Sequence, residues 1–425
     1  MANTKLAVDE EFGLTDEQQL LKESLLDWGE RELPLTRVIE MNQEGHPFPA
    51  DIVKGLGELG VIMGPVPVEH GGGGLSWGDQ ALIADQIGYI DPSIATAAGL
   101  MAVETGWGFT LNRHCSEEVR EKFVQPAIEG DQFVGIATTE PGGGSDVAGF
   151  TSTAERDGDD WILNGEKTFI SGTEEAKEMG GGYWVNVRTG PKPKDAPHKN
   201  MTSFFVPIDA DGVQVQEPYR DAGRMAISTG GFIMEDVRIP DRYRLGEEGK
   251  GFYYTMEGFD NARILIGASS VGVTRRILEE AADYIKERET FGKPLAKYEG
   301  IQFEFADLYT RMKALRLMYQ KVAQMQETRY QEAGKGERKA KPSTYSPTDV
   351  ARWISMIKWK APHLAKEAAD KAMHWLGAAG YSDEYVFETA WKGVMSYCVG
   401  AEGGANIQKI VIARETLGSE YVPYD

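Results

Sequence analysis

The stretch IATTEPGGGSDVAGFTSTAERDGDDWILNGEKTFIS, residues 136–171, carries two signals. In its second half, "FTSTAERDG" and "WILNGEKTFIS" are rich in β-branched and aromatic residues and read as strands. Asp157-Gly158 and Asn164-Gly165 are strong turn signals within that half. The first half contains "TTEPGGGSD" (138–146), a turn of unusual composition. Pro141 fixes the chain direction, Gly142, Gly143 and Gly144 permit close backbone approach, and Ser145 sets a hydroxyl beside exposed N–H groups. Such a turn can hold an anionic or heteroaromatic ligand on main-chain donors. It can equally be a plain β-turn, and the glycines alone do not decide between them.

The strand texture runs from Phe133 for about 115 residues. "YWVNVRTG", "MTSFFVPI", "GVQVQEP" and "GFIMEDVRIP" continue it and predict a compact β-barrel or sandwich. Before it, residues 15–130 read as helical. Thr15 followed by Gln18 is a capping-box pattern, and Leu20, Leu21, Leu25, Leu26 and Trp28 form an apolar stripe. "SIATAAGLMAVETGWGFTLNR" (93–113) predicts a helix so poor in bulky side chains that it packs closely or leaves room for a ligand. After Gly251 helical spacing returns, with 252–289 reading as one long helix. Residues 330–346 are polar and Lys/Gly-rich and read as a mobile connection, with Ser346 and Pro347 opening the next helix. The expected fold is α+β and multidomain: an N-terminal helical domain (1–132), a β-domain (133–248) and a C-terminal helical bundle (249–425).

Composition bounds the function. Hydrophobic content is 41% and charged content 26%, ordinary for a globular protein. A formal net charge of −21 would repel a phosphate backbone, which argues against nucleic-acid binding. No apolar run approaches the roughly 20 residues that span a bilayer, and Met1–Leu14 lacks the layout of a secretory signal. Cys115 and Cys398 make neither a disulfide framework nor a zinc spacing, so no metal is expected. These features predict a soluble, cytoplasmic protein. "GEEGKGF" (246–252) is too short for a phosphate loop, and no GxGxxG, HExxH or GxSxG supports a nicotinamide, metalloprotease or serine-hydrolase reading.

Near the C-terminus, "VGAEGGANIQKIVIARETLG" (399–418) sets Glu402 among small residues just ahead of an apolar helix. A carboxylate there can complement a helix N-terminus. It can also be a base aimed into a pocket.

Four separated segments together resemble the acyl-CoA dehydrogenase family: 136–171, "GKGFYYTMEGFDNARILIGASSVG" (249–272), "ERETFGKPL" (287–295) and "AEGGANIQKIVIAR" (401–414). The resemblance covers nearly the whole chain in the family's order. It implies an N-terminal helical domain, a middle β-domain, a C-terminal four-helix bundle, and FAD between domains in a homotetramer or homodimer. By the match, Ile136, Thr138 and Thr139 line the isoalloxazine, and Gly144 and Ser145 meet the flavin pyrophosphate and the thioester ligand. Phe169 stands where the family often has Trp on the flavin, and Ser171 where it often has Thr. Arg288 and Phe291 match residues reaching the FAD of a neighbouring subunit, with His374, Gly377 and Ala378 on the adenine side. Gly404 and Asn406 approach the cofactor, while Met256, Phe259, Asp260 and Arg263 line up with the helix that holds the pantetheine and acyl chain. Arg263 also has a plainer reading, a charge paired with Asp260 one turn earlier.

The resemblance makes Glu402 the base that takes the α-proton of an acyl-CoA, with electron-transfer flavoprotein as the onward acceptor. An enoyl-CoA reductase, an acyl-CoA oxidase and a non-catalytic acyl-CoA-binding protein are the alternatives. The chain also departs from the family. Ala262 occupies the other position from which members present a base, Glu299 replaces a common Gln, and "WKGVMSYCVG" (391–400) replaces an Arg-Asp pair. Ala401 replaces an aromatic beside the base, and no arginine lies in the first half of helix 93–106, which points to an uncharged, bulky or cyclic acyl group. Glu104 on that helix is expected to be solvated or paired.

Overall fold

The computed structural model describes residues 13–333 and 344–423. Thr15 caps α1 (Asp16–Glu32) with the capping box expected from its sequence. Helices α2 (Leu35–Glu44) and α3 (Ala50–Glu58) follow, then α4 (Trp77–Ile90), which Ser76 and Asp79 cap in the same reciprocal way. The Ala/Gly-rich segment then winds more loosely than an α-helix. Ala97–Thr105 is a fully buried π-helical run that continues into α5 (Gly106–His114). Two short turns, α6 (Glu117–Val119) and α7 (Gln125–Ile128), lead to the strands.

The strands are β1 (Phe133–Ala137), β2 (Thr153–Asp157), β3 (Asp160–Ser171), β4 (Gly181–Arg188), β5 (Met201–Pro207), β6 (Val213–Gln216), β7 (Thr229–Pro240) and β8 (Arg244–Leu245). A short helix, α8 (Thr173–Met179), lies between β3 and β4. Hydrogen bonding orders the strands β6-β7-β3-β2-β4-β5-β8, with β1 parallel to β4. Asp157-Gly158 turns the chain between β2 and β3, as its sequence suggests. Asn164-Gly165 does not. It lies inside β3 at a register shift against β7, and a Cβ on Gly165 would meet Ser152 Oγ at 2.2 Å. The glycine marks a bulge where another backbone presses close, not a hairpin turn.

The anticipated long helix is α9 (Gly251–Glu287), 37 residues. A two-strand hairpin, β9 (Glu289–Thr290) and β10 (Lys293–Pro294), precedes α10 (Glu299–Ala333), α11 (Pro347–Leu376), α12 (Phe387–Val399) and α13 (Ala405–Leu417). Ser346 and Asp349 form a capping box on α11 with Pro347 in its first turn. The middle of the connection read as mobile, 334–343, lies outside the described residues. Helix α9 packs on α11, α10 and α12 within the bundle and on α4 and α5 of the N-terminal helices.

The α4–α9 crossing depends on missing side chains. A Cβ on Gly272 would fall 1.9 Å from Asp85 O, and one on Gly88 would fall 2.0 Å from Ser269 O. The two backbones are in contact there, so Asp85 can accept from Arg275 (2.9 Å) and Tyr319 Oη (2.7 Å) inside the core. Overpacking of this kind costs about 1–3 kcal/mol or more. Gly272→Ala is therefore expected to lower the thermal unfolding midpoint by about 1–3 °C or more, read by scanning calorimetry.

Candidate functional site

A cavity of about 780 Å³ opens between the strands and the helices. Ile136, the 138–145 loop, Phe169, Ile170 and Ser171 form one wall; Met256, Phe259, Arg263 and the turn around Glu402 face them. Ala98, Ala102 and Val103 of the π-helical run supply the remaining side, as their small size suggests.

The loop is held from beneath by a buried ion pair. Lys167 Nζ, fully buried, donates to Glu140 Oε1 (2.8 Å) and Asn186 O (2.8 Å). Glu140 also accepts from Thr151 N (2.6 Å), Thr151 Oγ1 (2.9 Å) and Ser152 N (3.0 Å). Burial opposes its charge, but Lys167 and these donors together hold the carboxyl down at about 2. Lys167 is pushed below its ordinary value by burial, against the pull of Glu140. Gly143 N donates to Glu140 O (3.0 Å) to close the turn. A Cβ on Gly142 or Gly143 would meet nothing within 4 Å. Among the described residues nothing packs within that distance, which leaves this side of the backbone open to a ligand.

Two more observations test whether a flavin fits. Thr138 Oγ1 is buried and has no hydrogen-bond partner among the described residues. Phe169, at φ 55°, presents an exposed ring stacked on Tyr219 with centroids 4.7 Å apart. A strained, exposed aromatic beside an open glycine loop and an unsatisfied hydroxyl suits a planar, anion-bearing cofactor.

Glu402 sits at φ 54°, a left-handed backbone unfavourable for its residue type. Its turn is tied by donors from three helices. Arg263 Nε of α9 donates to Glu402 O (2.8 Å), and Gln408 Nε2 of α13 donates to Glu402 O (3.3 Å) and Gly403 O (3.1 Å). Lys358 Nζ of α11 donates to Gly403 O (2.6 Å). Trp107 Nε1 donates to Glu402 Oε1 (3.2 Å), whereas Oε2 has no partner among the described residues. Burial pushes the carboxyl up to about 7, against Trp107, Arg263 and Lys358. The helix-entry reading of Glu402 is not what is seen: Gly404 is the N-cap of α13 and no side chain caps it.

The cavity brings together Ile136, Thr138, Thr139, Gly144, Ser145, Phe169, Ser171, Met256, Phe259, Arg263, Glu402 and Gly404. Asp260 lies behind this wall, and the pairing with Arg263 that the plainer reading expects is present at 3.3 Å, while Arg263 also lines the cavity. Arg288, Phe291, His374, Gly377, Ala378 and Asn406 are exposed and stand outside the cavity, as does Glu299. Four residues with no local sequence signal join the site. Trp107, Lys358 and Gln408 do so through the Glu402 turn. Arg224, at φ 50°, bonds Ser171 Oγ (3.1 Å) and Thr229 Oγ1 (2.8 Å). Among the described residues no group of His, Cys, Asp or Glu could hold a metal ion, and no helix is long and apolar enough to cross a membrane.

Glu104 requires a correction. It is fully buried in the π-helical run, neither solvated nor ion-paired. Oε1 accepts weakly from Val134 N at 3.4 Å, and Oε2 has no partner among the described residues. Burial raises its pKa well above the ordinary carboxylate value.

Family models for acyl-CoA dehydrogenase match in three parts: the N-terminal domain over residues 15–131, the middle domain over 135–237 and the C-terminal domain over 249–417. The chain is 31% identical over 407 residues to "Probable acyl-CoA dehydrogenase YngJ" of Bacillus subtilis, covering 96% of this chain and 99% of that protein. It is 29% identical to the mitochondrial short-chain specific acyl-CoA dehydrogenase of Rattus norvegicus, over 96% of this chain and 91% of that protein. A solved glutaryl-coenzyme A dehydrogenase–glutaryl-CoA complex superposes with a TM-score of 0.85 at 27% identity, covering 97% of this chain and 98% of that one.

Glu104 also gives this site a stability test. The unfolded carboxyl releases its proton above about 4.5, while the folded one keeps it to higher pH. The folded state thus loses stability as pH rises from that point towards the raised folded value. Glu104→Gln removes the dependence, so the variant's melting temperature should gain on the parent's between pH 5 and pH 8. Scanning calorimetry at both pH values checks this; an offset equal at both would contradict it.

Proposed function

The chain belongs to the acyl-CoA dehydrogenase family, and from that premise we propose that Glu402 is the base that takes the α-proton of an acyl-CoA thioester. It is an FAD-dependent oxidoreductase acting on a CH–CH bond. FAD, when bound, supplies the hydride-accepting ring. Ile136, Thr138, Thr139, Gly144, Ser145, Phe169 and Ser171 would hold it along the strand wall.

One comparison carries the assignment of the base. Among the described residues, the cavity is lined by three carboxylates: Glu140, Asp221 and Glu402. Glu140 is held ionised by Lys167, with its pKa far too low to keep a proton. Asp221 accepts from Thr229 Oγ1 (2.6 Å) and faces Arg224 at 3.6 Å. Glu402 alone combines an unbonded oxygen with a pKa near 7. A carboxyl desolvated in this way is a stronger base than one in water. Among the described residues the Glu402 N–H has no acceptor, so it is free to donate to the thioester oxygen as enolate charge develops.

Met256, Phe259 and Arg263 line the path of the ligand, with Asp260 steadying Arg263 and Ser145 at the loop. The small walls of Ala98, Ala102 and Ala401 favour a bulky or cyclic acyl group. Arg224 also reaches the cavity, but Asp221 balances its charge, which supports the reading of an uncharged acyl group. Phe291, 95% exposed at φ 51°, supports a second subunit: with Arg288, His374, Gly377, Ala378 and Asn406 it would complete a neighbour's FAD site in a homotetramer or homodimer. Electron-transfer flavoprotein is the proposed acceptor and the cytoplasm the proposed location.

Glu402→Gln is expected to leave FAD bound and to slow flavin bleaching by acyl-CoA roughly 10²–10⁴-fold. In the parent, kcat/KM should rise as pH climbs through about 7, the range in which Glu402 ionises. A variant that bleaches within tenfold of the parent would sink the assignment. Straight, branched, aromatic and alicyclic acyl-CoAs, assayed together, identify the acyl group. Reoxidation of reduced flavin by an enoyl-CoA, with no bleaching by any acyl-CoA, would turn the reading to a reductase.

A further inference from the structure

Behind the Glu402 turn, in the middle of α11, Lys358 is 1% exposed. Its ammonium donates to two main-chain carbonyls, Tyr397 O at 2.7 Å and Gly403 O at 2.6 Å. These carbonyls flank Glu402: one lies near the end of α12, the other directly after the base. A single donor joining them fixes the span between α12 and α13, and with it how far the intervening turn projects into the cavity. Arg263 and Gln408 do not repeat this contact. Arg263 holds only Glu402 O, and Gln408 holds the turn from within α13.

We propose that Lys358 is a positioning residue for Glu402, clamping both ends of its turn while its charge favours the ionised carboxylate. The proposal rests on the reading of Glu402 as the base.

A buried lysine would ordinarily shed its proton. Burial brings Lys358 down to about 7, with Arg263 acting in the same direction and Glu402 and Cys398 opposing. Glu402 is brought to about 7 from the other side. Each favours the charged form of the other. From α9, Arg263 also favours the ionised Glu402 carboxyl, ahead of Lys358, while sharing its charge with Asp260 at 3.3 Å. From α12, burial pushes both Tyr397 and Cys398 upward, so they stay neutral over the working range. On α11 itself, burial lowers His363 and favours its neutral form, while Lys366 lies towards Trp391 at 5.8 Å.

The test uses the full-length, FAD-loaded protein, with kcat/KM for flavin bleaching measured from pH 6 to pH 9. In parallel, infrared titration follows the Glu402 carboxyl band, identified by its loss in Glu402→Gln. Lys358→Met, which removes both clamp and charge, should move the acid limb and the band upward, costing up to about tenfold in kcat/KM on the acid side, and leave a further loss at high pH. Lys358→Gln, which keeps a donor without the charge, should shift both by the same amount and carries the test if the Met variant does not fold. Lys358→Arg should keep the limb in place. A limb and band unmoved in the neutral variants, or full recovery of Lys358→Met at high pH, would overturn the proposal. Turnover surviving in Glu402→Gln would instead overturn the base itself, so the two failures are distinguishable.

Discussion

The close approach of α9 to the N-terminal helices is the constraint on which the rest depends. Four glycines make it possible. Gly88 and Gly272 let α4 and α9 touch backbone to backbone, a Cβ on Gly106 would fall 2.7 Å from Ala262 Cα, and one on Gly258 would fall 2.3 Å from the Trp107 ring. Because α5 lies so close, Trp107 reaches Glu402 from the N-terminal side while Arg263 reaches the same residue from α9. Wider spacing would break both contacts and admit water to the carboxyl. Glu402 therefore owes its burial to packing contributed by residues 139 and 295 positions away in the chain.

The two walls of the cavity treat buried charge in opposite ways. Under the glycine loop, Lys167 and Glu140 are paired and fully bonded, so the carboxylate stays ionised and the loop stays shaped. Across the cavity, Arg263 and Lys358 are directed at the carbonyls of the Glu402 turn, and one carboxyl oxygen has no partner among the described residues. A fully paired carboxylate is a poor base, whereas an unsupported buried one simply stays protonated. Placing the cations on the backbone behind the carboxyl avoids both outcomes.

Much of this was legible in the chain because its signals were local. The capping boxes at Thr15 and Ser346, the 37-residue α9, the glycine loop and the small-residue wall around Ala98 all follow from neighbours in sequence. What escaped was non-local. Trp107 lies 295 residues from its partner Glu402, and Lys358 lies 45 from Gly403, with no motif joining either pair. Asn164-Gly165 has the composition of a turn, but Ser152 pressing on Gly165 makes it a bulge. Glu104 carries the usual signature of a surface residue, and only the depth of its helix buries it.

That helix has a further consequence. A π-helical run such as Ala97–Thr105 is an α-helix carrying surplus chain in its turns. Loss of a single codon there could be absorbed by tightening to α-helical winding, leaving α5 and Trp107 in register while turning Ala98 and its neighbours by about 100°. The lining of the cavity on that side would change while Glu402 stayed in place. Related chains could thus diverge in what they accept through a one-residue change in length, a route gentler on the fold than rebuilding the cavity side chain by side chain.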